Sequence, residues 1–441
     1  MIQMDDGCQM QPPDRFGRSC GREECLPLNE TLGFHEPVRH RNDETTRDSP
    51  LEGRRAGWRR GGDVTVRLEP LTALEHWMLS AWEELDDDLV SGNPFLSPGF
   101  VIPAARRLSG PCPPLVLTIE QSGDLIGLGV FEDCPRSRRL PLRHLRSWRT
   151  PHSYQDGLLL RPGCEQTALQ EFWTFLSQSG HVWHGVEFPR MPEDDPVTSQ
   201  LHRASRESST RLLKGTCWQR ASLQLNSGRE CDVVEHLSIR RARSLRRGWR
   251  QLERSGEVSF RFVNDPEQTV QSMEALLVLE NMGWKGEQST SLLAHSSGEL
   301  FYREMFSQLN SRGRIAFSEI RIGDDVVASL IHLFSGETSF AFKLGWNPQY
   351  ERGAPGFQLM FHTALQAGKR LEGMTLMDSC SQPGSFIEHL WPHRRTFCSR
   401  LYSTSRLGHS ALALVKGARW FRSYLPIGSR VRTAPEQRED V

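Results

Sequence analysis

Alternation of large apolar with small or polar positions is clearest at 340–346. There Phe340, Phe342, Leu344 and Trp346 alternate with Ala341, Lys343 and Gly345, the period of two of a pleated strand. The period then changes. Phe357, Met360, Phe361, Ala364, Leu365 and Leu371 fall at offsets 0, 3, 4, 7, 8 and 14, which is one face of a helix. Between the two runs lies Arg352-Gly353-Ala354-Pro355-Gly356, with Pro355 where a first helical turn tolerates proline. A helix begun this way points unpaired N–H groups at the end of a strand, and those groups favour an anion such as a pyrophosphate.

The same patterning predicts a series of elements on either side. Strands are expected at 63–68, 115–120, 125–131, 184–188 and 221–225, with helices at 72–85, 99–108 and 164–177. Residues 121–124 join two of these strands as a hairpin. Beyond 226 the pattern predicts helices at 237–254, 267–282 and 297–312. It also predicts strands at 258–262, 315–322, 326–334, 374–378 and 396–403, with Gly323-Asp324-Asp325 as a second hairpin turn. Mixed order with hairpins suits an α+β layer architecture. The two halves follow a similar order, which suggests a duplication. The expected domains are 63–225 and 226–406, between a polar leader at 1–62 and a helical tail at 407–441.

Composition narrows the class. The chain has 441 residues, 54 Lys+Arg against 54 Asp+Glu, and a net charge of zero. Length fits two domains, and the charge balance implies no bulk polyanion binding. No run of about 18 apolar residues is present, and the acidic, polar opening is unlike a secretory signal. A cytoplasmic protein is the expectation. The ten cysteines form no CxxC pair. Cys8, Cys20 and Cys25, with His35 and His40, fit no common zinc spacing and read as free thiols in the leader.

Several stretches carry a family resemblance. Ser238 to Gly256 looks like a basic helix ending in Gly, and Trp284 lies between two helices. Asn347-Pro348-Gln349-Tyr350 with Ala354-Pro355-Gly356 resembles a "DPxY…SPG" turn, and Asn93-Pro94-Phe95-Leu96-Ser97-Pro98 stands as a turn near the start. Together with the order of elements over 315–403, these resemble the GNAT acyltransferases. Within them the chain is similar to the CelD-like (cellulose-biosynthesis) acetyltransferases, relatives of the Fem-type aminoacyl transferases. The resemblance implies tandem GNAT-like domains, each a mixed, mainly antiparallel sheet flanked by helices. It also implies acetyl-CoA or another acyl-CoA as co-substrate, held near Leu344, Arg352, Gly353, Ala354, Pro355 and Gly356. The acceptor it implies is a small-molecule or sugar amine, met by Trp284 and Lys343. The chain departs from the family in spacing Gly353 and Gly356 as G-x-x-G, and in having Ser385-Phe386-Ile387 after Gly384 where relatives carry Tyr-Lys.

Direct acyl transfer to an amine needs positioning, donors for the developing oxyanion and a route for the amine proton. Glu319 shares a strand face with Phe317 and Arg321; it reads as a base looking into a cleft or as half of an exposed cross-strand pair. Asp378 ends an apolar strand and reads as a base or as a turn acceptor. Tyr350 reads as the acid for a leaving thiolate or as turn packing. On the helix at 238–254 the arginines form either a solvated face or a contact for an anionic carrier, tRNA being the lesser alternative. The tail at 407–425 reads as a helix folded back on the protein or as a membrane-surface helix. His389 and His393 stand four apart with Pro392 between them, so no metal is expected.

Overall fold

The computed structural model describes residues 58–59, 63–110, 113–226, 233–289 and 291–424. Apart from Trp58–Arg59, the stretch expected as a polar leader lies outside these, including its cysteines and histidines.

The first half runs β1 (Trp58–Arg59), β2 (Val64–Pro70), α1 (His76–Asp87), α2 (Pro98–Leu108), β3 (Leu115–Gln121), β4 (Asp124–Cys134) and β5 (His144–Ser147). It continues through β6 (Leu159–Leu160), α3 (Glu165–Gln178), β7 (Gly185–Pro192), α4 (Pro196–Glu207) and β8 (Arg211–Gln224). The second half opens with α5 (Val233–His236), α6 (Ile239–Glu253), β9 (Val258–Val263), α7 (Pro266–Met282), α8 (Trp284–Glu287) and α9 (Ser296–Asn310). Then follow β10 (Ile315–Ile322), β11 (Asp325–Ser335), β12 (Thr338–Trp346), α10 (Pro355–Arg370), β13 (Leu376–Asp378), β14 (His393–Ser403) and α11 (Arg406–Tyr424).

Local chemistry explains the boundaries. α4 and α7 both start at Asp-Pro: Asp195 accepts from the Val197 N–H at 2.9 Å and Asp265 from the Gln268 N–H at 3.0 Å. Each carboxylate satisfies orphan donors while the proline fills the first turn. The hairpin turns expected at 121–124 and 323–325 are present, with Gly123 and Gly323 at positive φ.

The strands form one mixed, mainly antiparallel sheet ordered β1-β2-β3-β4-β5-β7-β14-β8-β13-β12-β11-β10-β9, with β6 on β4. Two pairs are parallel, β5 with β7 and β12 with β13, and each is bridged by one crossover helix, α3 or α10. With β1 left aside, the order reads the same from both ends toward the centre, the pattern that a duplication would give. The last strand of each half crosses over. β8 of the first half pairs with β13, while β14 of the second half pairs with β7. The junction expected at 225/226 consequently does not divide the sheet.

Buried side chains form one core shared by the two halves, two clusters on the opposite face and a small one under α11. The shared core joins Met78, Trp82, Phe95 and Phe100 to Phe301, Phe317, Phe340 and Phe342. On the opposite face, α3 and α4 cover the first half around Phe172, Trp173 and Tyr402, and α6 and α10 cover the second around Leu252, Leu359, Met360 and Trp391. Helix α11 folds back: Leu412 is buried with Leu140, Leu213 and Leu401, while Leu407 and Leu414 stay exposed. Among the described residues no helix is long and apolar enough to cross a membrane.

Cys217 and Cys398 form a disulfide between β8 and β14, directly opposite each other in the register. Nothing in the cysteine spacing pointed to it.

Candidate active site

β12 and β13 run side by side only from Thr338↔Leu376 to Phe340↔Asp378. β13 stops there, while β12 continues to Trp346, so its far edge parts from its neighbour. On the other edge the pairing with β11 slips by one residue. Ile331 faces Lys343 and His332 faces Ala341, leaving Phe342 as the extra residue. Such a bulge bends a strand and re-aims its groups. The first half reaches this point. Phe342 packs against Phe95, Phe100, His152 and Tyr154, with ring centroids 6.0 to 6.4 Å apart. The expected turn at 93–98 thus delivers Phe95 to the bulge of the other half.

α10 begins as the sequence indicates, with Pro355 in its first turn and Ala354 as cap in the left-handed region at φ 50°. Its N-terminus is more closed than expected. The N–H groups of Phe357 and Gln358 both donate to Ala354 O at 3.0 Å, which leaves the amide of Gly356, itself a buried residue, without a backbone acceptor among the described residues. A Cβ on Gly356 would stand 3.1 Å from Trp346 Cδ1. Gly353 has a different task. A Cβ there would meet Leu252 Cδ2 at 2.3 Å, and one on Gly248 would meet Gly353 O at 2.7 Å, so helix α6 crosses the turn backbone to backbone. Gly353 is a packing glycine rather than part of an open cradle. Arg352 and Ala354 are exposed beside it, and Leu344 packs toward α10 opposite Leu330.

The acids differ from expectation. Glu319 is 1% exposed, paired on both sides with Arg261 and Ser329. It lies in the cross-strand row that continues to Gly345, whose surface meets Leu279 and Glu280 of α7. Helix cover therefore replaces both the cleft and the exposed ion pair. Arg321 is 3.8 Å away, and one carboxylate oxygen has no hydrogen bond. Lys343 is likewise turned to α7, its Nζ 3.9 Å from Glu280 Oε1, and burial pulls its pKa down against the raising effect of Glu280. That removes it from an open acceptor groove. Tyr350 is half-buried in the short 3-10 turn before α10. Trp284 opens α8, but its side chain lies outside the described ones.

Asp378 is fully buried and sits at the point of divergence. Its Oδ1 accepts from the Cys380 N–H at 2.9 Å, and its Oδ2 accepts from Arg220 Nη2 and Arg395 Nη1, each at 2.8 Å. Burial raises its pKa, but the guanidiniums of Arg220 and Arg395 outweigh that and the net shift is downward. A carboxylate so engaged is a poor base; it is the centre of a buried ion triad. The two arginines went unnoticed in the sequence because they lie 158 and 17 residues from Asp378. Arg220 also donates to Tyr154 O at 2.9 Å, fixing the loop that carries Tyr154 to the bulge. Among the described residues, no group of three or more His, Cys, Asp or Glu is placed to hold a metal.

Comparison with known proteins agrees with this geometry for part of the chain. Residues 240–384, from α6 to just beyond β13, match a family described as an acetyltransferase (GNAT) domain. No curated protein matches the chain. Among solved structures, the chain is similar to the C-terminal domain (DUF2156) of a putative lysylphosphatidylglycerol synthetase from Agrobacterium fabrum. That similarity is at 12% identity and TM-score 0.47, covering 77% of this chain and 95% of that one. FemX is similar at 10% identity and TM-score 0.47 over 74% and 96%. A tandem GNAT protein from the clavulanic acid biosynthesis pathway is similar at 10% identity and TM-score 0.35 over 77% and 98%.

Proposed function

We propose that this chain is an N-acyltransferase that takes an acyl group from acetyl-CoA or another acyl-CoA and passes it to an amine. A small amine or an amino sugar, used in polysaccharide or cell-envelope biosynthesis in the cytoplasm, is the acceptor class. The observation that carries the reading is the parting of β12 from β13 at Phe340 and Asp378, with a bulge at Phe342 and, after one 3-10 turn, a helix N-terminus following the same strand.

The open edge of β12 beyond Phe340 supplies backbone donors that can polarise an acyl carbonyl, held rigid by the sheet on the other side. The Gly356 amide and the Arg352 side chain are the groups left to meet an anionic carrier at the turn. Asp378 does not take the amine proton; its triad fixes the end of β13 and the Tyr154 loop. With Glu319 covered as well, the amine gives its proton to solvent. Tyr350, half-buried beside the turn, is the side chain placed to protonate a leaving thiolate.

Acyl transfer is tested by incubating the full chain with acetyl-CoA and longer acyl-CoAs and a panel of amines, reading the intact mass of each amine. The expected result is one acyl group added per amine. No transfer across the panel would overturn the reading. A second reading, in which the carrier is an aminoacyl-tRNA, is favoured by one feature. Arg240, Arg243, Arg247 and Arg250 of α6, with Arg254 at its C-cap, fall at offsets 0, 3, 7, 10 and 14, are exposed, and find no carboxylate partner among the described residues. Activity lost on RNase treatment would select it.

A further inference from the structure

Helices α6 and α10 enclose a groove of about 280 Å³ on the second half, beside the crossing of Gly248 over Gly353. The two helices are tied together there by Gln358 Nε2, which donates to Leu245 O at 2.7 Å. Three rings form the walls. Trp249 and His362 have centroids 4.4 Å apart, and Phe361 meets His362 edge-on at 5.3 Å. All three are half-buried, so part of each ring still faces the groove. Burial lowers the His362 pKa to about 4, which keeps its imidazole neutral at neutral pH.

The polar atoms on these rings are within reach of a ligand. The indole N–H of Trp249 and both ring nitrogens of His362 make no hydrogen bond among the described residues, and none of the three is a buried atom. An indole offers one donor, and a neutral imidazole offers one donor and one acceptor. The edge of a nucleobase presents the matching set. Charge lies only at the rim, where Arg246 and Arg250 are exposed and Glu253 is the one acid. Arg250 has no hydrogen bond or ion pair among the described residues, and Arg246 donates only to Ala242 O at 3.3 Å. Ring faces that stack a base and guanidiniums that meet a phosphate are the two halves of nucleotide recognition. The volume is just under the range of about 300–1,000 Å³ usual for whole-ligand sites, which suits a base and its sugar with the phosphate outside at the rim.

We infer that the α6–α10 groove binds a purine nucleoside phosphate, its base against Trp249 and His362 and its phosphate at Arg246 and Arg250. The site needs no acyl group and does not include the turn at Gly356, so its test is independent of acyl transfer.

The experiment titrates the full chain by calorimetry with the 5′-monophosphates of adenosine, guanosine and uridine, and with inorganic phosphate. The expected result is saturable binding of at least one purine nucleotide, with inorganic phosphate and the uridine nucleotide at least about tenfold weaker. Trp249→Leu removes the stacking face, and the double variant Arg246→Ala with Arg250→Ala removes the cations from the surface of α6. Each should weaken binding by about tenfold, and the arginine variant serves alone if Trp249→Leu does not fold. Repeating the titration with CoA present separates two sources of the nucleotide. Displacement by CoA assigns the groove to the nucleotide end of that carrier, and undiminished binding beside CoA assigns it to a free nucleotide. No saturable binding of either purine nucleotide at about 10 mM overturns the inference. So does an equal affinity for inorganic phosphate, or binding unchanged in the arginine variant.

Discussion

Asp378 and Arg220 meet across the pairing of β13 with β8, Oδ2 accepting from Nη2 at 2.8 Å, with side chains 0% and 4% exposed. One comes from each half of the chain, and Arg395 closes the same carboxylate from β14. Removing the carboxylate leaves the Arg220 guanidinium buried without a counter-charge and Arg395 with Asp194 alone. Asp378→Asn should therefore lower unfolding stability by about 3–5 kcal/mol, read from denaturant midpoints. A variant of undiminished stability that has lost all turnover would instead return Asp378 to the role of base.

A second carboxyl behaves in the opposite sense. Burial lifts Asp156 from 3.8 to about 6, against the lowering effect of the Arg190 N–H that donates to it at 2.5 Å. The folded state then holds a proton that the unfolded chain has released. This contribution is fully present below 3.8, declines as pH rises through the window to about 6, and is flat above it. Its size is on the order of 3 kcal/mol. Asp156→Asn should flatten the pH dependence of stability between pH 4 and 6, as seen in denaturation at each pH. Asp378, held low, acts the other way: its contribution is fully present above 3.8 and is lost as pH falls below that value.

The Cys217–Cys398 bond closes a chain separation of 181 residues between β8 and β14. A link over so long a loop restricts the unfolded chain strongly. Cys398→Ser, or reductant added to the native chain, should lower stability by about 2–5 kcal/mol. Equal denaturation midpoints with and without reductant would show that the central strands need no staple.

At the crossing of α6 over the turn before α10, Gly248 and Gly353 leave no room for a methyl group. Gly248→Ala should destabilise by about 1–3 kcal/mol through overpacking, and acyl-CoA binding should weaken with it because the turn is displaced. Calorimetric titration of the folded variant with CoA checks the second effect.

Much of the architecture was legible because it rests on local signals. The strand at 340–346, the helical stripe from Phe357 to Leu371 and both hairpin turns stand where the residues place them. The bulge at Phe342, however, splits the strand's alternation: Phe340 and Phe342 join the shared core, while Leu344 and Trp346 pack toward α10. What escaped notice was non-local. α4 carries the same Asp-Pro start as α7, but only Val197 and Leu201 of its buried face are large apolar residues, the rest being Thr198 and Ser205. The exchange of β8 and β14, the triad around Asp378 and the disulfide depend on which strands become neighbours, and no spacing along the chain encodes that. Glu319 alternated like a surface residue, yet α7 covers its face. Gly353 looked like a ligand glycine for the same reason: only the position of α6 reveals that its hydrogen makes way for Leu252.

The central claim is that the turn ending at Gly356 receives the phosphates of an acyl carrier, and thermal or chemical denaturation with and without CoA tests it most directly. With CoA at about 100 times its dissociation constant, the native chain should gain roughly 2.7 kcal/mol. Gly356→Val, whose added carbons would press on Trp346, should fold and show no gain. A native chain that CoA leaves unchanged, or a Gly356→Val variant stabilised as fully as the native chain, would contradict the account.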